Sequence, residues 1–550
     1  MHLPLAPAAN AGFPRWPVRL STLLLCMAVV SGLTALPYAL HTLSPKYHGL
    51  IVMRDKDYAN YYSRLERSLS GYPEEAENGI TPVGSGIRGV QTAWMEHMLG
   101  MLFAWTGLSA PALSIGFTAV FTPFLFLLLF LLFCTIGLPG RTALAMTGGL
   151  FMIMFHGFSR VMHPGWSFVP TIAALLGTVI WARTQKRSML LCAAILLGIL
   201  PSIYFWHWTW SWATVAAFFG ILACAHGRAF WQLRRTLDLL LALCLTLALS
   251  FPFALRTAML IRDSRYPEVS IRASFLEQRY PESPTRSVLI LIMLMALLTG
   301  WRRHKMTLQY SAPLALMLGV TIALHQNIVH AKVLMFASHY EPHMLIAAIA
   351  AFAALQLLPF PTIARWCGSA AAVLLLAGGM YDYAFAHRFF TPEPIDFRDQ
   401  HLAPAIRFFD NGVLDTVLTD ATTGRILTAF TPDGILYTTH SRFLFISDAL
   451  LAEHYCMSQL FKENPPSERV LYNEYNRVLW SSAMQERQRR LVGEACKRVQ
   501  SDPLGHMRQY GVDYILWNQK QEPDWHVDTK VLPLEEVASG SGWTIWRLRG

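Results

Sequence analysis

The sequence predicts a mainly α-helical, polytopic membrane protein that ends in a small α/β domain. Three observations carry this reading. Of 550 residues, 53% are apolar and only 15% are charged, whereas charged residues make up about 25% of an ordinary soluble protein. Many apolar runs approach the roughly 20 residues that cross a hydrocarbon core. From residue 385 onward the charge density rises, and short alternating patterns replace the long apolar runs.

Eleven apolar segments follow one another: 18–43, 112–138, 142–158, 166–182, 188–206, 211–225, 236–257, 287–300, 310–328, 343–360 and 366–384. The first follows Arg15 and Arg19. It is long for a cleaved signal peptide and has no clean small-x-small site, so it reads as a retained anchor. The connecting loops alternate in character. One set comprises the N-terminus, Arg141, 183–187, 228–235, 302–305 and the turn ending at Arg365. It holds 13 Lys or Arg and no Asp or Glu. The other set is longer, mixed in charge, and rich in His, Trp and Tyr. Basic loops stay in the cytoplasm. The N-terminus is therefore expected inside and the C-terminal region outside, which agrees with an odd number of spans. The same loops account for much of the net charge of +10 without a nucleic-acid partner.

The expected domains are a transmembrane part, 1–384, with a long first outer loop at 44–111, and an extracytoplasmic α/β domain, 385–550. The end of the long loop, 91–106, has helical apolar spacing with Glu96 and His97 embedded. It is expected to be an amphipathic helix on the membrane surface. In the last domain, 413–419, 434–438, 514–517 and 543–548 read as strands and 467–499 as a polar helix. No glycine-rich phosphate loop follows any of these strands. Six of the eight cysteines lie in apolar segments, as small core residues. Cys456 and Cys496 lie in the outer domain and fit either a disulfide or two buried thiols. No Cys/His spacing suggests zinc.

The unusual polar residues fall on the outer side. The first loop opens with Asp55, Asp57, Tyr58, Tyr61, Tyr62, Arg64 and Arg67. The second carries Arg160 and His163, and the third places His207 among four tryptophans. Residues 256–286 bring Arg256, Arg262 and Arg272, and the last loop brings His325, His339, Tyr340, Glu341 and His343. Ionisable groups at membrane depth are costly and are rare without a partner or a role. Blander roles exist beside the functional one. Trp and Tyr at span ends act as interfacial anchors, and the arginines of 256–286 also fit a solvated, salt-bridged loop.

Asp55-Lys-Asp57-Tyr58 with Asn60-Tyr61 after the first span, and Ser159-Arg160 in the second outer loop, stand in a chain of about eleven spans with an outer α/β domain. Together they resemble the GT-C glycosyltransferase superfamily, and within it a bacterial relative of the oligosaccharyltransferase catalytic subunit. The resemblance implies a GT-C-like fold in a bacterial inner membrane. It also implies transfer of a sugar from a polyprenyl phosphate or pyrophosphate donor to a lipid, glycan or protein acceptor. In such a reaction positive charge grows on the sugar and negative charge on the leaving phosphate. Asp55 and Asp57 are the candidates for a base acting on the acceptor. Arg160, Arg256, Arg262 and Arg272, with His163, are the candidates to hold the phosphate, because a guanidinium grips phosphate through two parallel bonds. Tyr58, His207, His339, Tyr340 and Glu341 are the candidates for substrate binding. Relatives of the oligosaccharyltransferase type use a divalent metal, Mg or Mn, with acids in the second outer loop. Residues 159–168 contain no acid, so the metal-free, monophosphate-linked branch fits better, and the metal stays unknown.

Asp57 would stand at the start of a helix running to Leu69, where the helix dipole holds a carboxylate and lowers its basicity. Asp55 is freer, which favours it as the base, with Asp57 as the supporting or metal-binding acid. Two other classes compete. A flippase of lipid-linked saccharide should show polar residues at midspan and repeated halves; the spans here are nearly free of charge and no repeat is visible. A non-catalytic envelope assembly protein would use Asp55 and Asp57 merely to cap a helix.

Overall fold

A computed structural model describes residues 18–53, 56–73, 87–159, 162–273, 279–281, 283–303, 307–332, 337–387, 395–462 and 482–549. In chain order the helices are α1 (Leu20–Thr42), α2 (Lys56–Leu69), α3 (Trp94–Phe103), α4 (Ala110–Thr135), α5 (Gly140–Phe158), α6 (His163–Trp166), α7 (Phe168–Thr184), α8 (Arg187–Ile199), α9 (Phe205–His226) and α10 (Leu233–Arg262). They continue as α11 (Tyr266–Arg272), α12 (Pro284–Arg303), α13 (Leu308–His330), α14 (Glu341–Leu357), α15 (Thr362–His387), α16 (Ala403–Phe409), α17 (Ala421–Phe430), α18 (Asp448–Ser458), α19 (Ser482–Ser501) and α20 (Pro503–Gln509). The strands are β1 (Val52–Met53), β2 (Ile395–Asp396), β3 (Thr416–Leu418), β4 (Gly434–Ile435), β5 (Tyr514–Asn518), β6 (Leu534–Gly540) and β7 (Trp543–Leu548).

Each of the eleven apolar segments coincides with a helix. Among the described residues, α1, α4, α9, α10, α12, α13 and α15 are long and apolar enough to cross a membrane. The segments in α5, α7, α8 and α14 form shorter apolar helices. The chain is a multi-pass membrane protein.

The chain divides into two units. The first comprises Met1–Pro37, Gly116–Thr257 and Glu277–Glu393. Its core draws on α4, α5, α7, α9, α12, α13 and α15, and on α14, which packs mainly against α13 and α15 and is buried along nearly its whole length. Alanine recurs through α14 at Ala347, Ala348, Ala350, Ala351, Ala353 and Ala354, which lets neighbouring helices approach closely without a hydrophobic drive to push them together. The α9–α13 crossing has the same origin. A side chain at Gly319 would collide with Thr214, so only glycine fits there.

The second unit comprises Tyr38–Ile115, Ala258–Leu276 and Pro394–Gly550. This differs from the expected boundary at 384/385: the first outer loop and the 258–276 segment belong with the C-terminal domain. Its five-stranded sheet has the order β4-β3-β5-β7-β6. β3, β4 and β5 run parallel, and β7 lies antiparallel to β5 and β6. The predicted strands appear as β3, β4, β5 and β7; β6 was not foreseen. Asp420 caps α17, accepting from the backbone N–H groups of Thr422 and Thr423. Of the expected polar helix at 467–499, residues 482–499 lie in α19, and 463–481 fall outside the described residues. Cys456 in α18 and Cys496 in α19 are disulfide-bonded, which resolves the two alternatives.

Three long-range links explain why the unit gathers distant segments. The Gln400 side chain accepts from His48 N at 2.8 Å and Leu50 N at 3.3 Å, and donates to Leu50 O. β1 pairs antiparallel with β2. Arg272, at the end of α11, is fully buried and donates to the carbonyls of Leu444 and Ile446 at 2.8 and 2.7 Å. The same guanidinium lies 3.2 Å from Asp448, whose other oxygen meets Arg487 at 2.8 Å. Burial pushes the Asp448 carboxyl above its ordinary range even between two guanidinium groups.

Candidate functional site

In the second unit the opening polar run forms α2. The helix begins at Lys56, so Asp57 is its second residue and the backbone of Tyr58 lies in its first turn. Asp55, together with the side chains of Asp57 and Tyr58, lies outside the described residues. Positions 61, 64, 65 and 68 follow the i, i+3, i+4, i+7 rule of an inward face, and all four are buried. Arg64 pairs with Glu96 of α3 at 2.7 Å, with both side chains sealed from solvent. Its guanidinium also stands 5.3 Å from the Tyr61 ring centroid. Arg67 is likewise buried, and its Nε donates to Pro432 O at 3.0 Å. Glu66 accepts from Ala110 N at 2.7 Å at the start of α4. Desolvation, with a smaller push from Asp410, raises the Glu66 carboxyl to about 7. α2 is thus a polar helix clamped by buried charge pairing. α3 is two-sided: Glu96 faces α2, while Met101 and Leu102, and Trp105 in the turn just after it, are exposed.

The first unit brings His207, His339, Tyr340 and Glu341 into one polar cluster. His207, buried in α9, shares a 2.7 Å hydrogen bond with Ser167 Oγ. The His207 and His343 rings lie 4.7 Å apart, edge to face. His339 stacks on Trp206 at 4.4 Å. The Tyr340 hydroxyl meets Thr209 Oγ1 at 2.6 Å and accepts from Gln326 at 2.8 Å. Glu341 opens α14 and pairs with Arg286 at 2.5 Å. His343 is fully buried and, among the described residues, neither of its ring nitrogens has a hydrogen-bond partner of acceptable geometry. Two imidazoles, a phenol, a carboxylate and stacked aromatic rings are the groups that recognise sugar hydroxyls and ring faces. Sequence reasoning assigned no role to Ser167 or Arg286, and weighed His343 only beside His339 without placing it among the site residues. The signal for His343 was present: it lies two residues beyond Glu341, on a turn already singled out.

The phosphate candidates separate. Arg160 falls outside the described residues, and only the backbone of His163, in α6, is described. Arg256 is half-buried in α10 and belongs to the first unit; Arg262 is exposed and belongs to the second. Arg272 is engaged elsewhere. Its buried guanidinium meets Asp448 and two carbonyls, which supports a role in holding the unit together and weighs against a phosphate ligand. Among the described residues no group of three His, Cys, Asp or Glu is placed to hold a metal ion.

No protein-family model and no curated protein matches the chain. Several solved structures resemble it along nearly its whole length, among them those of two proteins. One is the arabinofuranosyltransferase AftD from Mycobacteria, with 15% identity, a TM-score of 0.47 and 97% of this chain covered. The chain spans 40% of the length of that protein. The other is ArnT from Cupriavidus metallidurans. Its structure bound to undecaprenyl phosphate gives 11% identity, a TM-score of 0.41, and coverage of 96% of this chain and 98% of that one. Its apo state gives 11% identity and a TM-score of 0.40.

Proposed function

We propose that the protein is a GT-C-type glycosyltransferase that moves a sugar from a polyprenyl-phosphate donor to an acceptor at the outer face of the membrane. The observation that carries this reading is α2. It is a short polar helix after the first apolar helix, with Asp57 in its first turn and its inner face locked by the buried Arg64–Glu96 pair. A carboxylate that must take a proton from an acceptor hydroxyl needs a rigid mount, and α2 with the paired strand β1 provides one on either side of residues 54–55.

Asp55 is assigned as the base and Asp57 as the supporting acid. As the acceptor oxygen bonds to the sugar carbon, the sugar–phosphate bond breaks and the electron pair leaves on the phosphate. Arg160, His163, Arg256 and Arg262 remain candidates to stabilise that charge. His207, His339, Tyr340 and Glu341 are assigned to sugar recognition. The reaction is written without a metal, in keeping with the acid-free 159–168 loop. The Cys456–Cys496 disulfide supports an oxidising, extracytoplasmic location for the second unit.

The test is mass spectrometry of lipids retained on the purified protein, followed by transfer assays on Asp55→Asn and Asp57→Asn variants that still bind donor. A bound polyprenyl phosphate-sugar is expected, and Asp55→Asn should lower transfer by about a hundredfold or more. Parental rates in both variants would remove the anchor of the proposal. An ethylenediaminetetraacetate wash should leave transfer unchanged.

A further inference from the structure

The first unit contains a groove unrelated to the polar clusters above. It measures about 530 Å³ and is lined by Arg187 at the start of α8 and by Leu233, Arg234, Leu237, Asp238 and Leu241 on α10. It lies at the end of the helices that carries the acid-free basic loops 183–187 and 228–235. Two chemistries meet there.

The first is positive charge at one end. Arg187 and Arg234 are exposed, and Asp238 lies 3.3 Å from Arg187 Nε. The formal charge of the lining is therefore +1, which complements the single negative charge of a phosphodiester. Both α8 and α10 begin here, and the first-turn N–H groups of a helix lack intrahelical acceptors. Their dipoles add to the attraction for an anion. The second chemistry is an apolar track. Leu233, Leu237 and Leu241 recur every four residues on one face of α10 and are 75%, 55% and 39% exposed. Three leucines in line, leading away from a cationic end, match an acyl chain leading away from a headgroup.

We propose that this groove seats an anionic membrane phospholipid, its phosphodiester headgroup at Arg187 and Arg234 and an acyl chain along Leu237 and Leu241. A free phosphate would use only the cationic end and leaves the leucine track without an occupant. Basic pockets between spans on the positive side of a membrane protein bind anionic headgroups in this manner. The site is independent of the transfer reaction.

The full-length protein is incorporated in nanodiscs of phosphatidylcholine with a fifth of phosphatidylglycerol. It is then extracted in mild detergent, and the retained lipid is quantified by native mass spectrometry. The parental protein should keep phosphatidylglycerol in preference to phosphatidylcholine. Arg234→Gln, which breaks no ion pair among the described residues, should cut that preference about fivefold, and Arg187→Gln with Arg234→Gln should cut it further, by a similar factor. Leu237→Asn should weaken retention of both lipids. Added inorganic phosphate should not displace the bound lipid. Unchanged preference in folded Arg234→Gln and double variants overturns the proposal. So does displacement by inorganic phosphate, or a polyprenyl phosphate found there in place of the phospholipid.

Discussion

Arg272 is where two readings of one residue make opposite predictions. As a phosphate ligand, its replacement should abolish donor binding and leave the fold intact. As a structural staple, its replacement should unfold the second unit. The geometry sets the size of the effect. Arg272→Ala strands Asp448 beside Arg487 alone and removes the donor from two buried carbonyls, those of Leu444 and Ile446. Breaking a buried pair by removing one partner costs about 3–5 kcal/mol. The two carbonyl bonds belong to the same guanidinium, so their loss overlaps with that figure instead of adding to it in full. In a unit of this size each kcal/mol moves Tm by about 2–4 °C, so a fall of roughly 10 °C is expected.

The assay is thermal unfolding of the purified protein in detergent, run beside donor-lipid binding on the same sample. Asp448→Asn is the companion variant. It takes the charge from between Arg272 and Arg487 while leaving the Arg272 guanidinium in place, so it should lower Tm to a similar degree. Arg272→Lys keeps the charge but loses the fork that reaches Asp448 and the carbonyls together, and should fall between parent and alanine variant. An Arg272→Ala protein that melts at the parental temperature while losing donor would refute the structural reading.

Three further outcomes are expected. Burial holds Glu66 near 7 against an ordinary 4.5. The folded state therefore favours the protonated acid. The corresponding stability is complete below pH 4.5 and is lost as pH rises through 7, by at most about 3 kcal/mol. Asp433, raised to about 7 by burial, acts in the same direction. Glu66→Gln should narrow the Tm difference between pH 5 and pH 8, and an unchanged difference counts against a buried carboxyl. Under denaturing conditions six thiols should react before reduction and all eight after it; Cys456→Ser, which opens a bridge with a sequence separation of 40, should cost about 4 kcal/mol. Reporter fusions at Gly227 and Gly550 should give opposite signals, since the first adjoins a basic loop and the second lies in the domain expected outside; matching signals would break the assignment of sides.

What the sequence disclosed and what it concealed divide along a physical line. An apolar helix is specified by the length and polarity of one continuous run, so each of the eleven segments could be placed as a helix from its own residues, seven of them long enough to cross a membrane. The start of α2 was legible for the same local reason, as were β3, β5 and β7, whose residues are largely buried and apolar. β6 was not. It is an edge strand with Glu535 and Glu536 exposed and a register shift between Glu536 and Ala538, so its alternation is broken. The makeup of the second unit was hidden more deeply. It depends on pairs far apart in the chain: Arg67 with Pro432 across 365 residues, Gln400 with His48 across 352, Arg272 with Leu444 across 172. One sequence states which residues can pair but not which do. Arginine makes this plain, because its planar fork fits a phosphate or a carboxylate flanked by carbonyls equally well. Only burial decides between them, and burial belongs to the assembled fold. The 385–550 segment, read alone, looks like a self-sufficient domain. In the structure its buried Asp448 is neutralised in part by Arg272 and its Pro432 carbonyl is met by Arg67, so 394–550 expressed without 38–115 and 258–276 should expose these groups and fail to fold to its native stability.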